Sequence, residues 1–89
     1  MRKIELDLKK MNSVPNLHQH LFKVLDLPKY YGCNLDALHD CLTEMVEKIE
    51  IVVPAQVTEE KYLGAYGEGL LQVLQDSAEE NDCLKITIK

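Results

Sequence analysis

Asn34-Leu35-Asp36-Ala37-Leu38-His39-Asp40-Cys41-Leu42-Thr43-Glu44-Met45, followed shortly by Ile49-Glu50-Ile51-Val52-Val53-Pro54, is the stretch that decides the fold. Its first part reads as a helix. Asn34 supplies a side-chain oxygen for the free amides of the first turn. At about 100° per residue, Leu35, Leu38, Cys41, Leu42 and Met45 share one side. This helix is expected to run to about Met45 or Val46. The second part is too short for a helix and is rich in β-branched residues, so it reads as a strand that Pro54 closes. Its near-continuous apolar run fits burial on both faces.

Upstream, Ile4, Leu6 and Leu8 alternate with Lys3, Glu5 and Asp7, which predicts a strand over 2–8 with one buried face. Ser13 and Pro15 open a helix whose apolar positions are Leu17, Leu21, Val24 and Leu25. Leu27-Pro28 ends it, because the residue before proline is pushed out of helical geometry. Lys29 to Cys33 is a loop that pivots on Gly32.

Downstream, Thr58 is expected to cap a short helix that ends at Gly64. A longer helix starts at Gly67 or Glu68 and runs to about Glu80, with Leu70, Leu71, Leu74, Ser77 and Ala78 on its inner side. Leu84, Ile86 and Ile88 form a last strand. Strands separated by helices favour an α/β fold with a parallel sheet. The expectation is three parallel strands and about four helices in one domain over residues 1–89. The pattern leaves open which strand is central.

The totals exclude several functions. No run approaches the ~20 apolar residues of a membrane span, and no apolar segment follows the basic residues Arg2 and Lys3 as a secretory signal requires. The three cysteines, Cys33, Cys41 and Cys83, form no CxxC and leave at least one thiol unpaired, which fits reduced cysteines in the cytoplasm. Net charge is −5 and unevenly spread. Residues 1–29 hold six Lys/Arg against three Asp/Glu, and residues 30–89 hold four against twelve. That argues against a nucleic-acid partner and suits a basic protein. Acidity for solubility alone accounts for the charge equally well.

On the helix after Asn34, His39, Asp40 and Thr43 fall within about 60° of Asp36, opposite the apolar side. Acids at i, i+4 repel, and Asp is a mediocre helix former. Asp36 suits the positive end of the helix dipole, whereas Asp40 lies deeper and gains nothing from it. A solvated face with two acids is the commonest form of such a pattern. The alternative is a cation-binding face, on which compact carboxylates take charge-assisted bonds from Arg and Lys.

The run from Leu27 to Leu42, with Tyr30-Tyr31-Gly32-Cys33-Asn34-Leu35-Asp36-Ala37-Leu38 and then Asp40-Cys41-Leu42, resembles the signature of the barstar family. Leu17-His18-Gln19, Leu71-Gln72-Val73 and the ending Cys83 to Ile88 are similar too. Apart from a gap around 47–58, the resemblance covers essentially the whole chain. It implies a barstar-like fold and no catalysis. It implies tight one-to-one inhibition of a basic, barnase-type secreted ribonuclease before export, with the second helix and its preceding loop plugging the nuclease active site. By position, Asp40 takes the place of a substrate phosphate and Asp36 supports it. Tyr30, Gly32, Asn34, Leu35 and Thr43 supply surrounding contacts, and Asp76 stands at the rim. His39 replaces a large aromatic residue of the family's best-known member, Cys33 an acid, and Glu44-Met45 a Gly-Trp pair. His39 and Glu44 remain in the expected contact set.

Rival chemistries fare less well. Paired carboxylates serve glycosidases, but two on one exposed helix face have no environment to separate their roles. Asp36, His39 and Asp40 on one turn leave most of a metal's shell to water, and His18 and His20, two apart on a helix, do not face each other. No metal and no cofactor is expected. Cys41 and Cys83 read as buried packing residues and Cys33 as exposed. Of the adjacent tyrosines, Tyr31 is expected to pack inward and Tyr30 to face outward. A monomer is expected. A non-inhibitory acidic module of the same fold, binding another basic protein, stays open.

Overall fold

The computed structural model describes residues 2–89. Strand β1 is Arg2–Glu5, helix α1 Val14–Val24, helix α2 Leu35–Thr43, strand β2 Ile49–Val53, helix α3 Ala65–Glu80 and strand β3 Leu84–Ile88. All strand pairs are parallel, and β2 lies between β1 and β3. In register, Ile4 stands beside Ile51 and Ile51 beside Ile86. The continuous apolar run is thus the central strand.

Burial on both faces of β2 holds only in part. Ile49, Ile51 and Val53 belong to the core with Leu17, Leu21, Leu38, Leu42, Leu70 and Leu74. On the other face Val52 is buried, but Glu50 is half-exposed. The Thr87 hydroxyl donates to Glu50 Oε2 at 2.7 Å, and Lys89 Nζ reaches Glu5 Oε1 at 3.4 Å.

There are three α-helices among the described residues, not four. The expected helix from Thr58 to Gly64 is replaced by a 3₁₀ turn over Ala55–Thr58 and then successive turns. The Thr58 hydroxyl donates back to Ala55 O, so it closes a turn instead of capping a helix. Within 59–64 only Leu63 is buried, too little apolar surface to hold a helical face against the core. The first strand also stops early, at Glu5. The Asp7 amide donates to His20 Nε2 at 3.0 Å and its carboxylate accepts from the Lys9 amide, turning the chain into a 3₁₀ turn over Leu8–Lys10.

The end of α2 falls at Thr43 because Asn81, just past α3, intercepts it. Asn81 Nδ2 donates to Leu42 O at 2.9 Å and to Met45 O at 2.8 Å. Leu42 O lies in the last turn of α2 and also accepts the Met45 amide at 3.3 Å, so the Asn81 side chain ties the helix end to the turn that follows it. Helix α3 starts at Ala65, two residues before the expected glycine.

His18 and His20 are buried, 1% and 7% exposed, and both do structural work. His18 Nδ1 bonds the Tyr31 hydroxyl at 2.5 Å and its Nε2 bonds the Tyr66 hydroxyl at 2.7 Å. Burial lowers both imidazole pKa values, with Lys10 adding to the lowering at His20 and Asp7 opposing it. The unfolded chain, near the ordinary value of about 6.5, therefore takes up these protons first. This stability is fully present above about pH 6.5 and is lost as pH falls below it toward the folded-state values. Thermal melts from pH 7.5 to 5 are expected to show a falling midpoint, with a shallower slope in His20→Gln. An unchanged slope would remove His20 from the account.

Candidate functional site

The site is built on α2 and the loop before it. Asn34 caps the helix as expected: its Oδ1 accepts the Ala37 amide at 2.7 Å. Its Nδ2 donates to Gly32 O at 3.3 Å, which ties the cap to the loop. The Tyr31 amide donates to Pro28 O, closing a turn. Tyr31 is 7% exposed and Tyr30 is 82% exposed, one ring in and one out. The bond from Tyr31 through His18 to Tyr66 pins the loop to α1 and α3 together. The loop is therefore braced at its base while Tyr30 stands free.

Asp36 and Asp40 are exposed one turn apart. The Asp40 side chain is 80% exposed, and only the His39 ring approaches it, with Nδ1 at 3.9 Å from Oδ1. The half-buried Thr43 bonds back to its own helix: its hydroxyl donates to His39 O at 3.0 Å and Asp40 O at 3.1 Å. Leu35 is half-buried, with Cδ1 at 3.1 Å from where a Cβ on Gly69 would stand. A glycine on α3 thus lets α2 sit close. Gly32 and Glu44 are exposed, and Glu44 is the C-cap of α2. Asp76 is exposed on α3, where Gln72 Nε2 donates to its Oδ1 at 2.8 Å.

Two features escaped the sequence reading. Glu80 Oε2 lies 2.5 Å from His39 Nε2, joining α3 to the acidic face of α2. The i, i+4 spacing from Asp76 to Glu80 was the available signal, because it puts both on one face of α3. The other is Asn81, whose capping of α2 has no local signature. The thiols also differ from expectation. Cys33 is exposed as read, but Cys41 and Cys83 are half-buried. Cys41 lies on α2, and Cys83 lies in the turn before β3. Burial raises the Cys41 thiol pKa, and Glu44 and Asp40 add to that, so it is a poor nucleophile.

Chemically, the site offers carboxylates on a braced helix and an exposed phenol on the loop before it. Among the described residues, no group of three His, Cys, Asp or Glu is placed to hold a metal ion. No helix among them is long and apolar enough to cross a membrane. The arrangement suits recognition of guanidinium and ammonium groups on another protein.

The family model "Barstar (barnase inhibitor)" matches residues 1–89. A Bacillus subtilis (strain 168) protein described as a putative ribonuclease inhibitor, YrdF, is 41% identical over 91 residues, covering 100% of both chains. The chain belongs to the barstar family, whose members are inhibitor proteins and not enzymes.

Proposed function

We propose that this protein binds one-to-one to a basic, barnase-like secreted ribonuclease and plugs its active site with the acidic face of α2 and the loop Leu27–Asn34. The chain acts as a single domain and a monomer in the cytoplasm, before the nuclease is exported. Asp40 occupies the place of a substrate phosphate, held by the nuclease's own Arg and Lys groups. Asp36 pairs with a neighbouring basic group. Tyr30, Gly32, Asn34, Leu35, His39, Thr43 and Glu44 frame the contact, and Asp76 stands at its edge.

One observation carries this reading. Asp40 is a largely exposed acid in mid-helix, with no hydrogen-bond donor among the described residues, on a helix tied down at both ends. Such a carboxylate is pre-organised for an external cation, so little entropy is lost when one binds. The acid-rich second part of the chain would also speed the encounter with a basic partner at low salt.

The test is a titration of purified protein against a barnase-type ribonuclease at fixed enzyme concentration. Activity is expected to fall linearly to zero at one equivalent. Binding without loss of activity would favour the non-inhibitory module, and no binding at micromolar protein would overturn the proposal.

A further inference from the structure

Between the end of α1 and the end of α2 lies a groove of about 290 Å³. Leu27, Pro28, Cys41 and Met45 line it, Asp26 and Glu44 add carboxylates, and Tyr30 adds its ring. We propose that this groove is a second anchoring point, which receives one arginine or lysine side chain of the partner between Asp26 and Glu44. The inference rests on the reading above that the partner is a basic protein.

The two acids stand where helix chemistry disfavours them. Asp26 follows the last turn of α1 with φ at 52°, and Glu44 caps the C-terminus of α2. The end of a helix is its negative pole, so a carboxylate there is destabilising. Asp26 adds a left-handed backbone, which asparagine or glycine adopts with less strain. Neither acid has an ion-pair partner among the described residues. Two helix C-termini and two carboxylates without an ion-pair partner thus converge on one concavity and favour a cation there, although Lys23 in the last turn of α1 offsets part of that helix's pole. The Cys41 thiol, raised first by burial and further by Glu44 and Asp40, is consistent with that field.

The lining selects the kind of cation. A small ion would find only two acids and an apolar floor. A long basic side chain fits better, because its methylenes cover Leu27, Pro28 and Met45 while its head meets the carboxylates. Tyr30, 82% exposed, offers a ring face to that head. The groove is continuous with the α2 face, since Tyr30 and Glu44 border both. An occupant would therefore come from the same bound partner.

Nuclear magnetic resonance with N-acetyl-arginine amide as probe tests the groove without any nuclease. The amide signals of residues 26–30 and 44–45 are expected to shift with arginine amide and not with N-acetyl-norleucine amide. These shifts should vanish in Asp26→Asn/Glu44→Gln and survive in Asp36→Asn/Asp40→Asn. Shifts that persist in the first variant, or are absent from these residues in the unmodified protein, overturn the inference while leaving nuclease inhibition standing. Failure of the inhibition titration would leave the groove standing. Against an inhibited barnase-type ribonuclease, Asp26→Asn/Glu44→Gln should lose about fivefold to tenfold in affinity. Its melting temperature should rise, because both misplaced charges are gone. Unchanged affinity overturns the inference. Gain of stability with loss of binding is the pattern that a merely structural pair of acids would not produce.

Discussion

Asp40→Ala is expected to weaken inhibition of a barnase-type ribonuclease by about a hundredfold or more while leaving the fold intact. In the free protein the carboxylate accepts no hydrogen bond from the described residues and is 80% exposed. Its removal relieves i, i+4 repulsion with Asp36, and alanine is the better helix former, so stability should hold or rise by a few tenths of a kcal/mol. In the complex the balance reverses. Basic groups of the nuclease would be left desolvated without their counter-charge, a loss of about 3–5 kcal/mol. Asp40→Asn keeps the shape and loses the charge, so it should forfeit most of the same affinity. Inhibition constants for both variants at low and moderate salt, beside thermal melts, make the check. A loss below about threefold in Asp40→Ala would remove this residue from the centre of the site.

His39 explains why the site was only partly legible in sequence. Helical spacing placed His39 beside Asp40, and the structure puts its Nδ1 3.9 Å from that carboxylate. What spacing on one helix cannot show is the neighbouring helix. Glu80 is 41 positions further along, and its contact with His39 exists only because α3 packs against α2. Asn81 makes the same point for the end of α2, which local pattern placed at Met45 or Val46. The strands were legible because alternation and β-branching are local. The central place of β2 was legible in principle too, since only Ile49–Val53 lacks a clean polar alternation. The mistaken helix at 58–64 came from trusting a threonine cap with no apolar face behind it. Cap residues close turns as readily as they open helices. Asp26 was passed over for the opposite reason, because a single acid after a helix breaks a rule without forming a motif.

Gly67→Ala is expected to do the reverse of Asp40→Ala, damaging the fold and sparing the affinity of whatever remains folded. Gly67 lies in the first turn of α3, where a Cβ would stand 2.1 Å from Val57 O and 2.6 Å from Val57 C. That neighbour is backbone and cannot swing aside. Val57 is fully buried, its amide donates to Pro54 O, and its carbonyl already accepts from the Leu63 amide. Relief requires α3 to move off the 3₁₀ turn that leaves β2. Overpacking of this kind costs about 3 kcal/mol, which in a domain of this size lowers the melting temperature by roughly 10 °C or more. The inhibition constant per folded molecule should stay within about threefold, since the added Cβ at Gly67 meets the Val57–Thr58 backbone and no atom of α2 or its loop. Gly69→Ala supplies the contrast on the same helix. Its Cβ would meet only Leu35 Cδ1 at 3.1 Å, the end of a flexible side chain, and the substitution gains up to about 1 kcal/mol of helix propensity. But Leu35 belongs to the docking helix, so any shift it makes reaches the partner. Gly69→Ala is therefore expected to melt at or above the parent temperature and to bind more weakly. Parallel melts and inhibition titrations of the two variants separate the contact that holds α3 on the sheet from the one that sets α2 for its partner. Equal losses of affinity in both would show that the position of α2 depends on the whole of α3, and not on the Leu35–Gly69 contact.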